Sequence, residues 1–140
     1  MSKPTGEIYA RILIAEELRA KAPASSEARA ALRVCEKLRR PLTTLAGTAG
    51  FRSLLHRALT LAKAKFPWLE ELKLNDDGSF NHTPELETHL ATVEAASGAA
   101  AVAAQLLGLL ITFIGEALTL RLIHDVWPKV ALKNLKTGGN

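Results

Sequence analysis

Hydrophobic positions recur at helical spacing along most of the chain. Between Ile8 and Leu18, apolar residues return every three or four positions, and charged residues fall on the other faces. Residues 26–40 and 49–65 show the same pattern. Because an apolar stripe with this period is typical of amphipathic helices, the sequence predicts three such helices before residue 66.

Capping and turn residues separate the predicted helices. The run Ser25-Ser26-Glu27 is suited to cap the second helix, and the run from Gly47 to Gly50 predicts a hinge ahead of the third. Thr83 followed by Pro84 predicts another helix start. Residues 74–80 contain Asp-Asp-Gly between short flanks, which predicts a turn or a minimal β-ribbon.

The last predicted helix is the most unusual segment. It runs from Ala99 to Trp127, after an expected break at Ser97-Gly98, and it is apolar nearly all round. A helix of this kind is typically enclosed by other helices. The expected fold is therefore a single-domain, all-α bundle of about five helices with this one at its centre or at an interface. Residues 1–132 would form the bundle and residues 133–140 a frayed tail.

Small and polar residues follow one face of this helix at alternating spacings of four and three. They are Ala101, Gln105, Gly108, Thr112, Gly115 and Thr119, with Glu116 beside them. Such a stripe lets another helix approach closely, either inside the bundle or from a partner protein or second copy. It can equally be the solvent-facing strip of the helix. A buried Glu116 would need a partner such as Arg52 or Arg57.

The same segment supports a membrane hypothesis. No charged residue lies between Glu94 and Glu116, and this length is sufficient to cross a bilayer. However, Gln105, Thr112 and the many alanines contribute little to insertion or oppose it. Membrane association through residues 95–115 is therefore an alternative rather than the first hypothesis.

Composition agrees with a helical, globular domain. Of the 140 residues, 48% are hydrophobic and 23% charged, with helix-favouring Ala and Leu far exceeding Val and Ile. The single cysteine, Cys35, excludes an intramolecular disulfide. Charged residues interrupt the apolar run near the N-terminus, so a secretory signal peptide is not expected. We expect a cytoplasmic protein.

Basic charge concentrates in the first half of the chain. Residues 1–71 carry 13 Lys and Arg against 7 Asp and Glu, whereas the whole chain has a net charge of +4. One face of the second helix carries a basic ridge at spacings of four, four and three: Arg29, Arg33, Lys37 and Arg40. Such a ridge can bind phosphates or an acidic protein, or it can be a solvated face. Anion or nucleic-acid binding is therefore the second functional hypothesis.

The sequence lacks a recognisable catalytic combination. His82, Glu85 and His89 have a spacing that can hold a metal, but short sets of this kind are common by chance. Cys35 lies among apolar positions and is expected in the core. We therefore expect no catalytic residue, metal or cofactor. The favoured interpretation is a non-enzymatic protein–protein interaction module, a homo-oligomer or adaptor, with the small-residue stripe as its contact.

Overall fold

A computed structural model of the chain describes residues 5–21 and 26–130. Its helices are α1 (Thr5–Lys21), α2 (Glu27–Lys63), α3 (Pro84–Leu90), α4 (Ala95–Ile114) and α5 (Glu116–Val126), with a 3₁₀ helix at Pro67–Glu71. Across the described ranges this is an all-α bundle of five helices, as the hydrophobic pattern predicts. The predicted tail, residues 133–140, lies outside the described residues.

Two helix starts follow the predicted capping chemistry. The Ser26 hydroxyl accepts a hydrogen bond from the backbone N–H of Arg29 at 3.1 Å. The Thr83 hydroxyl accepts one from the backbone N–H of Leu86, also at 3.1 Å. Each bond satisfies a donor that the first helical turn leaves unpaired. Ser26 also donates to the carbonyl of Leu90, which ties the start of α2 to the end of α3.

The predicted hinge is a sharp kink that joins two helical segments within α2. Gly47 has φ 84° and ψ 163°, a non-helical conformation that divides α2 into residues 27–46 and 48–63. This region of backbone space favours glycine because it has no Cβ atom. The second and third predicted helices are therefore both present, joined directly at Gly47 within the range of α2, and Pro41 is accommodated inside the first of them.

The predicted turn near residue 77 covers part of the core. Leu74 and Phe80 form an isolated antiparallel bridge. A Cβ atom at Gly78 would lie 2.6 Å from the Cδ2 atom of Phe51, so the turn packs directly on that buried ring. This isolated bridge around a turn agrees with the prediction of a short turn or minimal ribbon near residues 74–80.

The apolar helix α4 is the central element of the bundle, since it packs against α1, α2, α3, α5 and the 3₁₀ helix. Its buried face consists of Ala95, Gly98, Ala99, Val102, Ala103, Leu106, Leu107 and Leu110. By length and composition it is also the one described helix that could cross a membrane, with a mean hydropathy of 1.9. Core helices of soluble proteins share these properties, so they do not by themselves indicate a membrane.

The predicted boundaries of this last helix are wrong. The expected break at Ser97-Gly98 does not occur, because strongly helix-favouring alanines flank it and Gly98 packs against the Trp68 ring. The break lies instead at Gly115, whose φ of 88° ends α4 and whose ψ of 158° leads directly into α5. Residues 99–127 are therefore parts of two helices, and α5 packs back onto α4 and α2.

Candidate interaction groove

A groove with a volume of 820 Å³ opens between α1, the C-terminal end of α2 and α4. Its lining is mainly small or apolar. The helix α4 contributes Ala100, Ala101, Ala104 and Gly108, α1 contributes Ala10, Ile14 and Leu18, and the end of α2 with the following residues contributes Leu61, Ala62 and Phe66. The groove therefore has helical walls on two sides and small side chains between them.

Two glycines set the shape of the groove. A Cβ atom at Gly6 of α1 would lie 2.5 Å from the carbonyl oxygen of Ala104 and 2.9 Å from the backbone nitrogen of Gly108. The backbone of α1 thus rests directly on α4 at this point. At Gly108 itself, a Cβ atom would meet nothing within 4 Å. Gly108 therefore has open space beside its Cα atom, and it is one of the residues that line the groove.

The predicted stripe divides at the helix break. Its first members line the groove, namely Ala101, Gln105 and Gly108. Thr112 is exposed on α4 beyond them, whereas Gly115 ends the helix. Thr119 is buried on α5, and its hydroxyl donates to the carbonyl of Gly115 at 2.8 Å. The expectation of one continuous stripe is wrong, and only its N-terminal part faces the groove.

Glu116 lies near the start of α1 rather than against α2. It is exposed, and its carboxylate accepts a hydrogen bond from the Tyr9 hydroxyl at 2.6 Å. Burial together with this carboxylate raises the pKa of Tyr9. The suggested partner Arg52 instead donates to the carbonyl of Asn75 at 3.0 Å. The Tyr9–Glu116 bond fastens α1 to α5.

Four charged residues surround the groove. They are Glu7 and Arg11 of α1, Glu27 at the start of α2, and Lys65 just after its end. All four are exposed. Within the described parts of the chain, none of them forms an ion pair. The groove therefore has a charged rim with two acidic and two basic side chains.

The predicted basic ridge is largely engaged inside the fold. Arg29 forms an ion pair with Glu87 of α3. Arg33 and Lys37 both pair with Glu17 of α1, at 3.1 Å and 2.6 Å. The fourth member, Arg40, is exposed. Anion binding by this ridge stays a prediction, but three of its cations already have a carboxylate partner.

Glu17 is the centre of a buried polar cluster that the sequence does not reveal. Its side chain is only 1% exposed, and it accepts a hydrogen bond from the indole N–H of Trp127 at 2.8 Å. Burial raises the pKa of Glu17, but hydrogen bonds from Lys37, Trp127 and Arg33 outweigh it and hold the pKa below its ordinary value. One carboxylate thus joins α1 to α2 and to the residue after α5.

The residues considered for metal or catalytic chemistry do not line the groove. His82 lies 2.6 Å from Glu87, and the His89 ring lies against the Trp68 ring with centroids 4.4 Å apart. Among the described residues, no three His, Cys, Asp or Glu side chains are close enough to hold a metal. Cys35 is buried, as expected, and burial raises its pKa to about 12, which disfavours the reactive thiolate.

Gly108→Ala tests the open space in the groove. We expect the variant to be more stable by about 0.5–1 kcal/mol, because alanine favours the helix and its methyl group has room. Urea denaturation at low protein concentration measures the difference. A loss of stability would show that the space beside Gly108 is closed.

No protein-family model, curated protein or solved structure matches this chain.

Proposed function

We propose that the protein is a non-enzymatic helical interaction module that holds an apolar helix of a protein partner in the groove. The open groove between α1, α2 and α4 carries this proposal. Amphipathic helices commonly bind by placing their apolar face in such a groove. Small residues on α4, including Ala101 and Gly108, allow the backbone of an incoming helix to approach closely.

The wall formed by α1 is held in place before any partner binds. Tyr9 ties the first half of α1 to α5, and Glu17 ties the second half to α2. A preformed groove avoids part of the entropy cost of ordering a binding surface. This favours a docking function over a role for the groove as a mere packing defect.

The distribution of polar groups favours a helix over a small polar ligand. A small-molecule site usually encloses its ligand and aims a few polar groups at it. Here the charged side chains lie around the rim, while the α4 residues between the walls are mostly alanine and glycine. An apolar helix with charged flanks matches this arrangement.

Photo-cross-linking in the cells that make the protein tests the proposal. Ala15 is exposed and lines the groove, so p-benzoylphenylalanine placed there would face a bound helix. We expect one cross-linked product of defined mass from this position. The same group at the exposed Thr44, which is not a groove residue, is the control and should give none.

Gly108→Leu completes this experiment. A Cβ atom at this position meets nothing within 4 Å, and Gly108 lines the groove. We therefore expect a leucine here to be tolerated by the monomer and to obstruct the groove, so the product from Ala15 should fall at least tenfold. If position 15 gives no product, or the product persists at full yield with Gly108→Leu, the groove is not a docking site.

A further inference from the structure

Resting on the groove function proposed above, we infer that the helix in the groove belongs to a second copy of this chain. The two copies are related by a two-fold axis, and the charged rims of their grooves pair with each other. The rim residues are Glu7, Arg11, Glu27 and Lys65.

The signs of the rim charges fit a two-fold contact. A two-fold axis sets the same surface patch against itself, so the patch must be complementary to itself. A rim of one sign would repel its copy. Here each wall supplies one acid and one base: Glu7 and Arg11 on α1, and Glu27 and Lys65 at the ends of α2. When α1 lies antiparallel to its copy, Glu7 of each protomer faces Arg11 of the other.

The rim differs from the basic ridge of α2. Arg29, Arg33 and Lys37 each have a carboxylate partner within the chain. Glu7 and Arg11 are four residues apart on one helix, a spacing that permits an ion pair, yet no such pair is found in the described structure. Among the described residues the rim charges have no ion-pair partner, so a protein with the complementary pattern of charges can pair with them.

The outer face of α1 supplies the apolar residues for the contact. Ile8 is 36% exposed, and Ala15 lies seven residues later on the same face, close to Arg11. In the two-fold arrangement, these side chains of one protomer enter the groove of the other, over the small residues of α4. Burial of this apolar surface supplies affinity, and the rim pairs fix the orientation.

A charge-exchange experiment with the purified full chain tests this arrangement. Arg11→Glu/Lys65→Glu makes the rim entirely acidic, and Glu7→Lys/Glu27→Lys makes it entirely basic. Light scattering across a concentration series should show that the wild-type chain forms dimers. The dimer dissociation constant of either variant should be at least tenfold higher than that of the wild type. An equimolar mixture of the two variants should recover the dimer mass, because opposite rims again face each other.

Arg40→Glu/Arg57→Glu is the matched control. Both residues are exposed and neither lines the groove, so the same charge change should leave wild-type dimerisation intact. Circular dichroism checks that every variant keeps its helical content. Loss of dimers in this control would mean that net charge, not the rim, governs association.

The two experiments distinguish a failure of the second-copy inference from a failure of the proposed docking function. A wild-type chain that stays monomeric at every concentration overturns the second-copy inference, as does a mixture that fails to recover dimers. If the cross-link from Ala15 then has a mass other than twice that of the chain, the groove binds a different protein and only the inference fails. If position 15 gives no cross-link at all, the proposed function fails as well.

Discussion

Glu17→Ala should destabilise the protein by about 3 kcal/mol, because it leaves two cations and an indole N–H without their common acceptor. This loss in the free energy of unfolding is at the lower end of the range for removing one member of a buried ion pair. The reason is that the Arg33 and Lys37 side chains are 24% and 43% exposed and can be rehydrated. Urea denaturation at neutral pH measures the loss.

Glu16→Ala on the same helix is the control for this prediction. Glu16 pairs with Arg19, which is 76% exposed, so its replacement should cost no more than about 0.5 kcal/mol. Equal losses for Glu16→Ala and Glu17→Ala would contradict the assigned role of the buried cluster.

The cluster also predicts a pH dependence. The folded state lowers the pKa of Glu17, so the stability that it contributes is fully present above its ordinary value of 4.5. That contribution is lost as the pH falls from this value through the lower pKa of the folded state. Glu17→Gln removes the ionisation, so the stability gap between wild type and variant should narrow in this acidic range.

Gly98→Leu should be the next most damaging change, at about 3 kcal/mol. A Cβ atom at Gly98 would lie 2.5 Å from the Nε1 atom of Trp68 and 2.9 Å from its Cε2 atom, so a leucine must displace the indole ring. The resulting shift of the 3₁₀ helix is visible as a change in tryptophan fluorescence. Thermal and urea denaturation measure the loss of stability.

Gly108→Leu is the matched control for Gly98→Leu. Both glycines lie on α4, but a Cβ atom would be 2.5 Å from Trp68 at Gly98 and would meet nothing within 4 Å at Gly108. Under monomeric conditions, we expect Gly108→Leu to be at least as stable as the wild type. If both variants lose the same stability, the two faces of α4 are equally packed and the groove is not open.

Local chemistry explains why much of the fold is predictable from the sequence. The caps at Ser26 and Thr83, the kink at Gly47 and the turn near Gly78 each depend on a few neighbouring residues. Gly115 shows the limit of this reasoning. Its spacing fits a stripe of small residues, yet the same residue type also ends helices, and only the packing of α5 decides between these roles.

The candidate site is predictable only in part, because it depends on contacts between distant segments. Ala101, Gln105 and Gly108 are recognisable as a small-residue stripe, but the stripe does not show that α1 rests on it at Gly6. Glu17 resembles any charged residue on an amphipathic helix. One of its hydrogen bonds comes from Trp127, which is 110 residues away, and no local pattern carries that information.

The contacts that join α1 to Glu116 and Trp127 affect the order in which the chain acquires its structure during translation. Tyr9 and Glu17 meet partners 107 and 110 residues later, so α1 emerges from the ribosome long before Glu116 and Trp127 are synthesised. Contacts of such long sequence separation form late. The hydrogen bonds of α1 to Glu116 and Trp127 can therefore form only after α5 has been made, whereas Glu17 can pair with Arg33 and Lys37 as soon as α2 has been synthesised.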